Sequence, residues 1–135
     1  MILGIGVDTV SIRDLYELRQ RIGADRLQKM FTTAEWLAAP DSILESTEYL
    51  ATRFAAKEAV FKAVAHLLPE KHFDLHIVET LNHGDGSPYV HVTESLAAVM
   101  ERAGIKSLLI SITTEGNYAT AFALAQPEGE CEETL

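Results

Sequence analysis

The sequence predicts an α+β fold, mostly antiparallel strands packed on one long helix, and three observations carry that expectation. Stretches with the two-residue alternation of strands and stretches of helical composition follow one another in no regular strand–helix–strand order. From Ser42 to Leu68 there is neither glycine nor proline, and alanine, leucine, glutamate and lysine dominate, so one long helix is expected there. Near the C-terminus, alanines at 119, 121, 123 and 125 alternate with Tyr118, Phe122 and Leu124, a strand pattern with one face low enough for a helix to lie close. With 135 residues, 47% of them hydrophobic, the chain can build one core, and residues 1–126 are expected to form a single domain.

The elements follow in order. Ile2 to Val10 reads as a strand on which Ile5 and Val7 point one way and Gly4, Gly6 and Asp8 the other, so the face carrying Asp8 is nearly bare. Ser11 is placed to cap a helix with Leu15, Leu18 and Ile22 along one side. Thr32-Thr33-Ala34-Glu35 has the spacing of a capping box and opens a further turn or helix, which Pro40 closes. After the long helix, Phe73 to Thr80 sets Phe73, Leu75 and Ile77 against Asp74 and His76 and is expected to be a strand. Asn82 to Pro88 supplies turn residues and Tyr89 to Val92 returns, which completes a hairpin. Thr93 caps a helix carrying Leu96, Val99, Met100 and Ala103, and Gly104 ends it. Leu108 to Thr113 is a strand, Glu115-Gly116-Asn117 a turn, and Tyr118 to Ala125 the last strand. The acidic tail over residues 127–135 has nothing to bury and is expected to be disordered.

Composition excludes several function classes. A formal charge of −9 argues against nucleic acid as the main partner, because a polyphosphate surface needs a broad basic face. No apolar run reaches the length of about 18 residues that spans a bilayer, so no membrane association is expected. Met1 leads straight into Ile2-Leu3-Gly4-Ile5 without a basic region or a small-residue cleavage site, and a cytoplasmic location is expected. The single cysteine, Cys131, excludes an intrachain disulfide and a cysteine-cluster metal site. Between Val10 and Met30, Arg13, Arg19, Arg21, Arg26 and Lys29 outnumber Asp14, Glu17 and Asp25. A docking surface for an acidic partner and a solvated helix of mixed charge both account for this segment.

The chemistry lies in the long helix and the first strand. Around the helix, Thr52, Ala56, Ala59 and Ala63 fall on a narrow stripe of small side chains, with Leu50, Phe54 and Phe61 opposite. Apolar groups on both sides leave the charges between them partly confined, with Arg53 and Lys57 on one flank and Glu58 and Lys62 on the other. An i,i+4 ion pair accounts for Glu58 and Lys62 taken alone, and glycines serving helix packing account for the bare strand face. Taken together, two acidic side chains, Asp8 and Glu58, beside cations suit diphosphate chemistry, since Mg²⁺ takes one or two carboxylates plus phosphate and water ligands. Other site classes fit less well. Thr9 stands where a dinucleotide-binding fingerprint needs its third glycine, and no Walker-type loop occurs. His66, His72, His76, His83 and His91 match no metal-ligand spacing, and Ser111 has no histidine partner in sequence.

Gly4-Ile5-Gly6-Val7-Asp8-Thr9-Val10, Phe31-Thr32-Thr33-Ala34-Glu35 and Arg53-Phe54-Ala55-Ala56-Lys57-Glu58-Ala59-Val60-Phe61-Lys62-Ala63 resemble, in order and spacing, the holo-acyl-carrier-protein synthase family. Gly86-Ser87-Pro88-Tyr89 and Ser111-Ile112-Thr113-Thr114, followed by Tyr118-Ala119-Thr120-Ala121, look like its two later motifs. The resemblance implies a 4′-phosphopantetheinyl transferase-like fold, a homotrimer with sites at subunit boundaries, and Mg²⁺-dependent transfer of 4′-phosphopantetheine from coenzyme A to a serine of apo acyl carrier protein, releasing 3′,5′-ADP. It implies metal ligation by Asp8 and Glu58, catalysis by Glu58, Lys62 and Asp8, and coenzyme A contacts from Arg53, Lys57, Lys62, Pro88 and Thr113. It also implies that the basic segment around Arg13, Arg19, Arg21 and Arg26 meets the acidic carrier. Ser87 stands where the family usually has lysine, Thr114 where it usually has histidine, and His66-Leu67-Leu68-Pro69-Glu70 where it carries a glycine-containing loop. Each departure is expected to remove a contact near coenzyme A and weaken its binding. An alternative is a weakened member that binds coenzyme A or a carrier without transfer.

Overall fold

Ser42 accepts a hydrogen bond from the Glu45 amide and so starts α4, Ile43–Val64, whose 22 residues make the spine of the protein. At 1.5 Å per residue the helix runs about 33 Å. Buried residues occur on every side of it, and it is therefore enclosed by other elements. A 3₁₀ turn, Ala65–Leu67, follows in place of the last helical turn expected from composition. These features come from a computed structural model, which describes residues 1–127. The tail expected to be disordered therefore lies outside the described residues, apart from Pro127.

Against α4 lies an antiparallel three-stranded sheet in the order β1-β5-β4, where β1 is Gly4–Ser11, β4 is Ser107–Glu115 and β5 is Tyr118–Gln126. The strand–helix approach is as close as backbone allows. A Cβ on Gly4 would stand 1.9 Å from the Ala63 carbonyl oxygen, and one on Gly6 would stand 1.8 Å from that of Ala59. The same closeness explains β5, whose alanines 119, 121, 123 and 125 all face inward and are fully buried. The outer face of this sheet is apolar as well: Ile5, Val7, Leu109, Tyr118 and Phe122 remain 42–55% exposed.

The other elements close the sides of α4. Helix α1 (Ile12–Ile22) begins at the Ser11 cap and is followed by a short α2 (Ala24–Gln28). The capping box at Thr32 forms as expected and opens α3, Thr33–Ala38. Leu15, Leu27, Phe31, Leu50 and Ala51 build a core around the N-terminal half of α4. Around its C-terminal half, Val60, Val64, Leu68, Phe73 and Val78 pack with Leu96, Val99 and Met100 of α5, Glu94–Ala103. Gly104 ends α5 in the left-handed conformation that glycine favours.

One expected element differs. Phe73 to Ile77 is not strand: Asp74 accepts the His76 amide and folds Leu75–Ile77 into a 3₁₀ turn, so β2 is only Glu79–Asn82, paired with β3, Pro88–His91. Local capping by an aspartate side chain overrides the alternating pattern there. Among the described residues no helix is long and apolar enough to cross a membrane.

Candidate active site

The two flanks of α4 face two different clefts. The first, about 520 Å³, has Phe54, Glu58 and Lys62 on the helix side and Asp8, Thr9, Val10 and Ser11 where β1 runs into α1. Asp14, Leu15, Leu18 and Met30 complete it. Asp8 reaches the cleft because β1 alternates: the residues before it on that face are the glycines that let α4 approach, and Asp8 is the first side chain beyond the contact. The glycines therefore clear space for a helix backbone, as the helix-packing reading of the bare face expects, and Asp8 is the residue of that face that lines the cleft.

Lys62 Nζ donates to Asp8 Oδ1 at 3.0 Å and to the Val7 carbonyl at 3.0 Å. The lysine side chain is half exposed, so this pair contributes little to stability and exchanges at low cost for a stronger anion. Burial raises the pKa of the Glu58 carboxyl, the negative charge of Asp8 raises it further, and Lys62 opposes both. Two carboxylates are thus held close enough to repel. Among the described residues no three His, Cys, Asp or Glu side chains gather at one point. Two oxygen ligands with room beside them fit Mg²⁺, which completes its shell with water and phosphate.

The second cleft, about 180 Å³, lies on the other flank and is lined by Thr52, Arg53, Asn82, Gly86, Pro88, Ile112, Thr113 and Thr114. Arg53 is its one charged lining residue. Its guanidinium lies 4.3 Å from the Tyr49 ring and donates to the Thr80 carbonyl at 3.3 Å and to Asn82 Oδ1 at 2.9 Å. Its Nε is buried without a hydrogen-bond partner among the described residues. Burial lowers its pKa, with Tyr49 and then Glu35 opposing, yet a guanidinium stays charged. Gly86, at φ +90°, makes the tight turn that brings Pro88 to the cleft. Ser87 is exposed, its hydroxyl donating to Asp85 Oδ1 at 2.6 Å. Residues 66–70 line neither cleft: Leu68 is in the core and Glu70 is tied to Arg102 at 2.6 Å, so this departure removes no contact from either site within one chain.

Two expected contacts are redirected inward. Lys57, expected on a phosphate, is fully buried and paired with Glu35 Oε1 at 2.8 Å, and it also donates to the carbonyls of Val78 and His76. All three of its donors are taken. Arg19, expected on an acidic partner, donates to Ser46 at 3.0 Å and lies over Trp36, whereas Arg13, Arg21 and Arg26 are exposed. Sequence reasoning missed Asp14 and Asn82, which carry no signal beyond a first-turn acid and a turn residue. It read Glu35 as a helix cap and not as a buried charge, although the capping-box spacing had marked the position.

Comparison with known proteins identifies the family. Residues 4–123 match the model of the 4′-phosphopantetheinyl transferase superfamily. The chain is 41% identical over 132 residues to the holo-[acyl-carrier-protein] synthase of Desulforudis audaxviator (strain MP104C), covering 98% of each protein. To the synthase of Micrococcus luteus it is 36% identical over 134 residues, covering 99% of each. Its fold is similar to the crystal structure of holo-[acyl-carrier-protein] synthase from Neisseria meningitidis, with a TM-score of 0.81 at 29% identity over 93% of this chain and 99% of that one. It is also similar to Chronobacterium ammoniagenes ACPS solved as a CoA complex, with a TM-score of 0.74 at 29% identity over 93% and 98%. Paired carboxylates beside a lysine, an arginine-lined second cleft and relatives matched end to end lead to one assignment: the chain belongs to the holo-acyl-carrier-protein synthase family of the 4′-phosphopantetheinyl transferase superfamily.

Proposed function

We propose that this protein transfers 4′-phosphopantetheine from coenzyme A to a serine of an apo acyl carrier protein, as a Mg²⁺-dependent cytoplasmic enzyme. The observation that carries the reading is the convergence of Asp8, Glu58 and Lys62 on one cleft. Asp8 and Glu58 would hold Mg²⁺, which when bound would supply positive charge to neutralise and align the diphosphate. Lys62, released from Asp8, binds the same phosphates and stabilises charge as it develops on the leaving group. The carrier serine oxygen forms its bond to the β-phosphorus, the bond to 3′,5′-ADP breaks, and the serine proton is lost. Glu58, or a water beside it, would take that proton. Arg53, Asn82, Pro88 and Thr113 take the nucleotide end of coenzyme A in the second cleft.

Two features support a homotrimer. The clefts border opposite edges of the β1-β5-β4 sheet, and that sheet's outer face exposes Ile5, Val7, Leu109 and Phe122. Packing three such faces about an axis covers them and sets the β1 edge of one copy beside the β4 edge of the next, joining a first cleft to a neighbour's second cleft.

The test of the reaction is direct. Apo carrier protein, coenzyme A and Mg²⁺ incubated with the protein should yield the phosphopantetheine adduct by mass spectrometry. Coenzyme A binding by calorimetry with no adduct on any carrier from the same organism would instead favour a binder without transfer, a reading to which Ser87 and Thr114 lend weight by leaving Arg53 as the one cation of its cleft.

The carrier meets the exposed arginines beside the first cleft. Charge reversal at Arg21 or Arg26 is expected to raise the KM for the carrier about three- to tenfold at low salt, with the difference fading as salt is added. Arg19→Ala is expected to lower Tm with little effect on that KM, because its guanidinium holds α1 to the start of α4. Steady-state kinetics at two ionic strengths, beside thermal melts, check both.

A further inference from the structure

The segment Phe31-Thr32-Thr33-Ala34-Glu35 starts a helix, yet its glutamate is placed for more than that. A six-residue helix at the surface can be capped by an exposed carboxylate, but Glu35 is fully buried. Oε1 accepts from the Thr32 amide at 2.9 Å, which completes the capping box, and lies 2.8 Å from Lys57 Nζ. Oε2 reaches away from the helix to accept from the Thr80 amide at 2.9 Å. Lys57 then carries the connection onward to the Val78 carbonyl. Val78 and Thr80 are thus held at alternate positions at the start of β2 by one buried ion pair.

Thr80 links this pair to the second cleft. Its amide is held by Glu35 and its carbonyl accepts from Arg53 at 3.3 Å, while Asn82, two residues on, accepts the other guanidinium nitrogen. The hairpin that begins at β2 also carries Gly86 and Pro88, so one wall of the cleft is this hairpin, facing α4, with Ile112, Thr113 and Thr114 of β4 completing it. The Glu35–Lys57 pair sets the spacing of those walls and gives Arg53 a fixed reference. Lys57 lies one turn along α4 from Arg53 on the same flank, where a shift of either end is felt by the other.

We infer that Glu35, acting through Lys57 and the Thr80 backbone, is a positioning residue for the second cleft: it orients Arg53 toward the phosphorylated nucleotide end of the donor and touches no ligand itself. The inference rests on the reading of that cleft as the coenzyme A nucleotide site. A residue serving only the stability of the fold would leave ligand affinity unchanged in whatever protein remains folded. A positioning residue changes affinity in fully folded protein.

The test uses the neutral double variant Glu35→Gln/Lys57→Met, which removes both charges together at similar volume and so leaves no unpaired buried ion. A second variant, Glu35→Asp, keeps the pair's charge and withdraws the carboxylate by one methylene. For both, thermal melts report folding, calorimetry reports the Kd for 3′,5′-ADP without metal or carrier, and kinetics report KM for coenzyme A, kcat and the Mg²⁺ half-saturation. The expected result for the double variant is that Kd and KM rise together by about tenfold, the effect of a displaced binding group. The aspartate variant should show the same split at smaller size, with kcat and Mg²⁺ half-saturation within about twofold of wild type in both, since the first cleft is not touched. Folded variants that bind the bisphosphate as tightly as wild type would overturn the positioning role and leave the proposed reaction standing. Wild-type protein that binds no bisphosphate would overturn both.

Discussion

Glu58→Gln is expected to be inactive and, without metal, more stable than the wild type. Glutamine keeps the volume of the side chain but loses the charge that a hard cation needs, and a carboxamide cannot accept the serine proton. Loss of both roles is expected to lower the rate by about a thousandfold or more, on the order of 4 kcal/mol of transition-state stabilisation. The stability effect has the opposite sign. Burial raises the Glu58 pKa first and Asp8 raises it further, so the folded protein holds the Glu58 proton more tightly than the unfolded chain does. Stability therefore falls as pH rises through the window between the ordinary glutamate value and the raised one, and above that window the wild type carries the full penalty. The variant has no such group. After allowance for solvent screening, the gain is expected to be small, with the variant melting slightly above the wild type. It should close when the melts are repeated in chelator below the ordinary glutamate range. A variant that transfers phosphopantetheine at near wild-type rate, or melts lower than wild type at neutral pH without metal, would sink the assignment of Glu58.

Gly6→Ala is expected to prevent folding. The new Cβ would stand 1.8 Å from the Ala59 carbonyl oxygen and 2.8 Å from the Ala63 amide nitrogen, and both are backbone atoms of a helix that cannot step aside. Relief requires β1 and α4 to separate, and β5 is hydrogen-bonded to β1 along its whole length, so the buried alanines 119 to 125 lose their helix contact too. A loss above about 4 kcal/mol places the change among the severe core substitutions. Gly84→Ala serves as the control, because nothing lies within 4 Å of the added methyl. Its effect is expected to stay within about 0.5 kcal/mol. Soluble yield, near-ultraviolet circular dichroism and thermal melts compare the two. A cooperative melt of Gly6→Ala near the wild-type temperature would show that the strand–helix contact yields more easily than its geometry implies.

Much of the fold was readable because its signals are local. Ser11, Thr32 and Thr93 each cap the helix that follows them, as read from the sequence, and Gly104 ends α5. The alanine period of β5 and the uninterrupted composition of α4 depend on nothing outside their own segments. Where the alternating pattern at Phe73–Ile77 misled, a single aspartate side chain had captured the backbone. That competition is close in energy and is settled by what the rest of the chain packs against.

The site divides in the same way. The sequence by itself determined which side chains occupy each flank of α4, because 3.6 residues per turn set Arg53 and Lys57 on one side and Glu58 and Lys62 on the other. It also determined that Asp8 shares a strand face with Gly4 and Gly6. Only the tertiary structure decided which of these charges face a cleft and which are turned onto a partner within the fold. Glu58 and Lys62 open on a cleft with Asp8, while Lys57 is sealed against Glu35 and Arg19 against Ser46. The periodicity of a helix states a direction, but whether a charge pointing that way meets water or a partner depends on segments distant in the chain, and burying a lysine is tolerable only where another segment delivers a carboxylate to it.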